Sequence, residues 1–333
     1  MKKEIKILDI FYGNKCNLAC SQCDTHSDHV RGTEDDPELE SIKQSIKLAH
    51  THFNVDIWGV LGGEPLLYID KCTAILDYLR SLDPDSKIIF PTNGMLLSKN
   101  LDLVADMAKK YNMYIQVCDH TTAFTDKSYS QRVVQATLDL ADKLQLTEST
   151  VEEWWAKIIS REDGGPEWRQ WLDTTNFSSD DLDGNDRAWI GPGYGVYYIQ
   201  SDNFSTITKF VGGKPKPYNE GDPKASYWNS CPSNFCALLK DSRIYKCAAL
   251  GTLETFLARH GSLDDPDWQK YLEYKGLDLT TCTEDDINKF MSNIYCHIDE
   301  CSMCPKNNVE VIKNELNVLP KHKDFISIRS LEE

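Results

Sequence analysis

Apolar and polar positions over the first 145 residues fall into strand-length runs that alternate with helix-length amphipathic stretches. Ile5 to Tyr12 is a short, partly alternating apolar segment ending at Gly13, the pattern of a strand. Asp36-Pro37-Glu38 opens a helix, with proline at an early position and acid in the first turn; Leu39, Ile42 and Ile46 supply its apolar face. Val55 to Leu61 predicts a second strand, stopped by Gly62-Gly63, and Ile69 to Leu82 a second helix. Lys87 to Phe90 predicts a third strand before Pro91-Thr92-Asn93-Gly94, followed by a third helix over Leu101 to Lys110. Met113 to Cys118 is a fourth strand, and Val133, Val134, Ala136, Leu140, Ala141 and Leu144 mark a long fourth helix. Strict alternation of this kind implies a parallel sheet whose strand C-termini share one edge, the edge at which such sheets bind ligands.

The pattern changes from about Gln145 to Ser230. Six of the eight tryptophans fall there (Trp154, Trp155, Trp168, Trp171, Trp189, Trp228), among Gly, Pro and acidic residues. Gly193 to Gln200 and Ser205 to Val211 predict two further strands. The stretch is either an insertion over the open end of the sheet or the start of a second domain, and the simpler account of its tryptophans is a small local core. Asp181 to Asp186 resembles a calcium loop only superficially, because its glycine is misplaced and no closing Glu follows at the required offset. In the last third, Cys236 to Cys247 predicts a hairpin turning at Asp241-Ser242, with a cysteine at each open end. Pro266 to Tyr274 and Glu284 to Met291 predict helices. The expected division is residues 1–225 for the first domain, with a Trp-rich insertion near 145–192, and 226–333 for the second.

Composition narrows the function. With 36 Lys+Arg against 52 Asp+Glu the net charge is −16, which counts against a nucleic-acid groove or a role at an anionic membrane surface. No apolar run approaches the length of a spanning helix, and the charged Met1 to Lys6 lacks a signal peptide's apolar stretch, so a cytoplasmic protein is expected. Twelve cysteines are more than packing requires, and a disulfide framework does not suit a reducing compartment. Either buried thiols or thiolates gathered around metal account for them, and spacing decides.

Cys16, Cys20 and Cys23 stand just after the first strand, separated by three and then two residues. On a loop this spacing turns three thiolates toward one point, which suits an iron–sulfur cluster with one iron left open; packed thiols, or zinc with a distant ligand such as His26, are the alternatives. Gly62-Gly63-Glu64-Pro65 ends the second strand. Its glycines allow a ligand to approach the backbone, and Glu64 sets an anion suited to an ammonium group beside it. Thr92-Asn93-Gly94 follows the third strand. Each of the two is a weak signal alone; at successive strand ends they outline one ligand pocket.

In that order the three motifs resemble the radical S-adenosylmethionine superfamily over about the first 120 residues. The resemblance implies an α/β fold, a partial (βα)6 TIM-like barrel, with a [4Fe–4S] cluster on Cys16, Cys20 and Cys23. The open iron would be chelated by the amino and carboxylate groups of S-adenosylmethionine. Gly62, Gly63, Glu64 and Pro65 would hold the methionine end, Thr92 and Asn93 would lie near the ribose, and Gln22, at a position often aromatic in relatives, would lie near the adenine. Reductive cleavage of the sulfonium would then give a 5′-deoxyadenosyl radical that abstracts hydrogen from a substrate, the protein positioning it and excluding water.

Cys236, Cys247, Cys301 and Cys304 resemble the ligands of the auxiliary-cluster extension called twitch, or SPASM in its longer form, where a cysteine-flanked hairpin and a later C-x-x-C enclose a second [4Fe–4S] cluster. Cys231, Cys282 and Cys296 are spare candidates, and a zinc knuckle on Cys296, His297, Cys301 and Cys304 is the alternative. Cys72, within a predicted helix, is expected to be a structural thiol. Cys118, Asp119 and His120 end the fourth strand, where each is a candidate acid, base or hydrogen-atom donor, or simply closes the strand; Tyr197 and Tyr198 are further candidates. The resemblance also implies a flavodoxin- or ferredoxin-type electron donor. It favours a peptide or protein side chain as substrate over a small metabolite; a non-catalytic iron–sulfur or zinc scaffold is the remaining class.

Overall fold

The structure is a computed structural model that describes residues 2–20, 23–30, 32–123, 126–159, 186–200, 207–231 and 236–307. The expected calcium-like turn, apart from its last residue Asp186, and the region of Trp168 and Trp171 lie outside the described residues, as does Gln22. The chain divides into two compact units, one made of residues 1–84 and 203–333, the other of residues 85–202.

The first unit begins with the predicted alternation: strand β1 (Lys3–Phe11), helix α1 (Leu39–His52), strand β2 (Phe53–Leu61) and helix α2 (Ile69–Leu82). Helix α1 buries Ile42, Ser45, Ile46 and Ala49, spaced by three, one and three residues along one face; α2 buries Cys72, Ile75, Leu76 and Leu79 in the same pattern. Cys72 is thus the packing thiol expected of it. Strands β1 and β2 run parallel, with Ile5 opposite Val55 and Ile10 opposite Val60. Ile57 to Val60 of β2 are buried without alternation, as a strand covered on both faces must be.

The second unit repeats the scheme with β3 (Lys87–Thr92), α3 (Leu101–Tyr111), β4 (Met113–Asp119) and α4 (Ser128–Lys143). It then adds β5 (Thr147–Ser149), α5 (Val151–Ile159), β6 (Arg187–Ile190) and β7 (Gly195–Gln200). Strands β3, β4 and β7 are parallel, while β6 and β5 extend the sheet antiparallel. The tryptophans here do fill a local core: Trp154, Trp155 and Trp189 are buried, and Trp154 lies 5.0 Å from Tyr197 and 5.9 Å from Tyr114, ring centre to ring centre.

The chain returns to the first unit with the short hairpin β8 (Lys209–Val211) and β9 (Lys214–Lys216); Ser205 and Thr206 of the strand expected from Ser205 to Val211 lie outside the described residues. Helix α6 (Pro223–Ser230) follows, then β10 (Cys236–Lys240), β11 (Arg243–Tyr245) and helix α7 (Ala248–Arg259). Helices α8 (Gln269–Leu272) and α9 (Glu284–Asn293) flank β12 (Leu277–Asp278). The expected hairpin forms, yet β10 also pairs parallel with β1, Ile7 opposite Cys236. The C-terminal segment therefore shares a sheet with the first strand, and a boundary at residue 225 does not separate two sheets. Gly251 lets α7 lie close on this sheet, since a methyl there would stand 2.6 Å from Leu238 Cδ2.

Beneath α7 a second core gathers Val30, Ile207, Leu250, Leu253, Phe256, Leu257, Trp268, Tyr271 and Met303. Trp268 is fully buried and donates its indole N–H to the Pro215 carbonyl at 3.0 Å. Trp268→Ala is expected to lower unfolding free energy by about 3–5 kcal/mol, measured by urea denaturation.

Candidate functional site

The loop that leaves β1 is fastened to the turn that leaves β2. Gly63 N donates to Gly13 O at 2.9 Å, Glu64 N to Lys15 O at 3.0 Å, and the Tyr12 hydroxyl to Gly63 O at 2.8 Å. A second layer holds the loop from below: Asn14 N donates to Asp36 Oδ1 at 2.7 Å, the Tyr68 hydroxyl to Asp36 Oδ2 at 2.5 Å, and Lys15 N to the Tyr68 hydroxyl at 2.7 Å. The glycines are required by this contact. A methyl on Gly62 would stand 2.4 Å from Gly13 O, and one on Gly63 would stand 2.1 Å from Lys15 O. What approaches the two glycines is therefore the loop carrying the cysteines. Glu64 is buried and accepts from Leu66 N at 3.1 Å, and Pro65 starts a short 3-10 turn.

On that loop Cys16, Cys20 and Cys23 are all half-buried and none is in a disulfide. Cys16 Sγ accepts from Leu18 N at 3.4 Å, Cys23 N donates to Cys20 O at 3.2 Å, and Cys23 Sγ lies 3.2 Å from Thr25 Oγ1. Burial, with the carboxylates of Asp28 and Asp24 nearby, pushes the Cys23 thiol up to about 12. Such a thiol gives up its proton readily only to a cation that replaces it. His26, the alternative zinc ligand, faces away toward α7: its Nδ1 lies 2.9 Å from Thr252 Oγ1 and its ring stacks on Phe256 at 4.2 Å. Burial, with His29 and His260 close by, lowers its pKa to about 3.

In the second unit, Thr92 and Asn93 are buried at the end of β3 and fold a tight turn, Thr92 Oγ1 accepting from Gly94 N at 3.2 Å and Asn93 Oδ1 from Met95 N at 3.0 Å. Gly94 has φ +75° and Val133 2.5 Å from where a methyl would go, so this turn needs glycine. At the end of β4 the Asp119 carboxylate is fully buried and surrounded by donors. Oδ1 accepts from the N–H and hydroxyl of Thr121, and Oδ2 from Ser130 at 2.6 Å and Tyr198 at 2.9 Å. Asp119 and Tyr198, two candidate acid–base groups, are thus committed to each other and organise the strand end. Tyr197 is buried and its hydroxyl donates to Asp186 at 3.2 Å; Cys118 and His120 are half-buried.

The C-terminal cysteines assort differently from the hairpin expectation. Cys231, Cys247, Cys301 and Cys304 line one small cleft, together with Tyr227 and Lys246. Cys236 does not line it. Its side chain hydrogen-bonds Asp9 on β1, and burial together with the Asp9 carboxylate pushes its thiol well up. The reason is register: Cys236 stands opposite Ile7 within the parallel pair, on the face that carries Asp9. Cys296 bonds the Ser292 carbonyl at 3.4 Å and, like His297 and Cys282, is not among the residues around this cleft. Cys247 is the N-cap of α7, with no side-chain capping hydrogen bond, and the nearby Leu250 N–H favours its thiolate. Burial still raises Cys247, to about 11, and raises Cys301 and Cys304 as well, with the neighbouring thiols adding to it.

Among the described residues no three His, Cys, Asp or Glu side chains meet as a group that could hold a metal ion. Thiolates that hold separate irons at the corners of a cluster stand farther apart than ligands sharing one ion, so a ring of sulfurs around a cleft suits the first case. Both cysteine sets offer soft sulfur donors, the kind that iron–sulfur clusters select.

Residues 10–152 match the family described as the Radical SAM superfamily. The N-terminal region is a radical SAM domain. Its parallel, helix-flanked strands are of the α/β class which that domain uses for a partial barrel. No curated protein matches the chain. Among solved structures it is similar to native anSMEcpe with bound AdoMet (18% identity, TM-score 0.34, 42% of this chain and 42% of that one). It is also similar to native anSMEcpe with bound AdoMet and Cp18Cys peptide (16% identity, TM-score 0.32, 43% and 41%). The chain therefore spans less than half the length of these structures. Among the described residues no helix is long and apolar enough to cross a membrane.

Asp9 is the residue that sequence reading missed. Gly59 makes room for it, since a methyl at Gly59 would fall 1.8 Å from Asp9 Oδ1, and the isolated acid within an apolar strand was the available signal. Burial, reinforced by Asp24, pushes its carboxyl up to about 7, against the hydrogen bond from Cys236. A carboxyl that holds its proton more tightly folded than unfolded favours the folded state fully only below its unfolded pKa of 3.8, and loses that advantage as pH rises through about 7. In iron-free protein, Asp9→Asn is expected to raise unfolding free energy by about 2–4 kcal/mol at pH 8 and by little at pH 4, measured by urea denaturation.

Proposed function

We propose that this chain is a radical S-adenosylmethionine enzyme in which Cys16, Cys20 and Cys23 hold a [4Fe–4S] cluster with one open iron, and Gly62 to Pro65 line the methionine end of the cosubstrate. The observation that carries this reading is the fastening of the three-cysteine loop to the Gly-Gly-Glu-Pro turn within a region matching the family. Bound there, cluster and cosubstrate supply one-electron cleavage of the sulfonium and a 5′-deoxyadenosyl radical. The chain's own tasks are to fix the loop, present the buried Glu64 carboxylate to the cosubstrate ammonium, and keep water away from the substrate. The family's motif order gives Thr92 and Asn93 the ribose and Gln22 the adenine.

A second, fully ligated [4Fe–4S] cluster belongs in the cleft of Cys231, Cys247, Cys301 and Cys304, with Cys231 taking the place expected of Cys236. A C-terminal auxiliary cluster of this sort accompanies modification of peptide or protein side chains in relatives, and that is the substrate class we favour. A flavodoxin- or ferredoxin-type donor would supply the electron.

Anaerobically reconstituted protein is expected to carry about eight iron ions per chain and to form 5′-deoxyadenosine on reduction with dithionite. Changing Cys16, Cys20 and Cys23 together to Ala should abolish the product and leave about four iron ions. No product from fully loaded protein, with or without candidate peptides, would sink the catalytic reading in favour of a scaffold. Gly63→Ala drives a methyl into the Lys15 carbonyl, so it should likewise lower iron to about four per chain, read by iron analysis and electron paramagnetic resonance.

A further inference from the structure

Lys246 is 5% exposed, at the rim of the four-cysteine cleft and next in sequence to Cys247. A buried lysine normally seeks a carboxylate, and among the described residues this one forms no ion pair. Its Nζ donates to the carbonyls of Asn293 at 3.1 Å and Ile294 at 2.9 Å, and stands 4.6 Å from the Tyr227 ring centre. Those carbonyls lie at the C-terminal end of α9, where backbone partial charge is negative and favours a cation. The residue's own N–H is tied to the Tyr274 hydroxyl at 3.1 Å, so backbone and ammonium are both fixed. Among the described residues Glu300 is the one carboxylate lining the same cleft.

We propose that Lys246 is a positioning charge that raises the reduction potential of the auxiliary cluster. This inference rests on the reading that Cys231, Cys247, Cys301 and Cys304 hold such a cluster. Cluster potential is set by net charge, hydrogen bonds to sulfur and exposure to solvent. On reduction the cluster takes up one electron, so the added negative charge appears beside an ammonium held by two carbonyls and a tyrosine ring, in a site with little water to screen it. The competing role, a mere cap on the carbonyls of α9, needs only N–H donors and no charge.

Glutamine separates the two roles, because its amide keeps donors for the carbonyls and loses the charge; arginine keeps both. The experiment is a redox titration of the full-length, doubly loaded protein followed by electron paramagnetic resonance. The Cys16, Cys20 and Cys23 triple Ala variant identifies which signal is auxiliary. Lys246→Gln is expected to move the auxiliary midpoint to more negative potential, with the N-terminal midpoint unmoved, while Lys246→Arg stays near the parent. Loss of the second cluster from the Gln variant alone would support the same requirement for charge. A fully loaded Gln variant with the parental midpoint overturns the inference, as does loss of the cluster from both variants. Absence of any second cluster in the parent protein overturns the auxiliary-cluster reading itself, and is seen before either variant is made.

Discussion

Two backbone hydrogen bonds, Gly63 N to Gly13 O and Glu64 N to Lys15 O, set where the N-terminal cysteine loop can be. Parallel pairing of β1 and β2 ends at Phe11 and Leu61, and beyond those residues the chain has no ladder to follow. The two bonds extend the pairing past the strands, but only because Gly62 and Gly63 carry no side chain in the gap. Asp36 then accepts from the loop's Asn14 N–H and from Tyr68, so α1's approach segment and the start of α2 are tied to the same few residues. A loop held in this way loses most of its conformational freedom before any metal arrives, which lowers the entropy that binding must overcome.

Most of the alternating region was legible because its periods were clean. The boundaries of α2 over Ile69–Leu82 agree with the structure residue for residue, and those of β2, β3 and β4 differ by one or two positions at an end. Helix α7 was invisible for the opposite reason. Its first six residues, Ala248 to Leu253, are all buried, so that half of the helix has no polar stripe to mark a period, and its N-cap is a cysteine rather than Ser, Thr or Asp. Strands β5 and β6 were missed because three- and four-residue strands are fixed by their neighbours, not by their own pattern. At the candidate site, sequence spacing located the cysteine motifs and the two glycines. It could not tell that the glycines serve loop packing, or that parallel pairing with β1 turns Cys236 to Asp9 while Cys231 lines the C-terminal cleft. The first fact depends on neighbours about fifty residues apart in sequence, the second on strand neighbours more than two hundred apart.

The two sulfur sets lie in different local fields, although the chain as a whole carries −16. Asp24 and Asp28 stand by Cys23 and add to the effect of burial in disfavouring negative charge there. Around the C-terminal cleft, Asp24 and Glu300 exert the same influence on Cys247 and Cys301 respectively, but there Lys246 opposes it. An electron added beside carboxylates is held less tightly than one added beside an ammonium, other things being equal. One-electron cleavage of a sulfonium needs a strongly reducing centre, and a store for an electron leaving the substrate needs a less reducing one. With Lys246 in the role proposed for it, that ordering follows from where a few charged side chains fall in the first unit's fold, and the same cluster type can serve at both places.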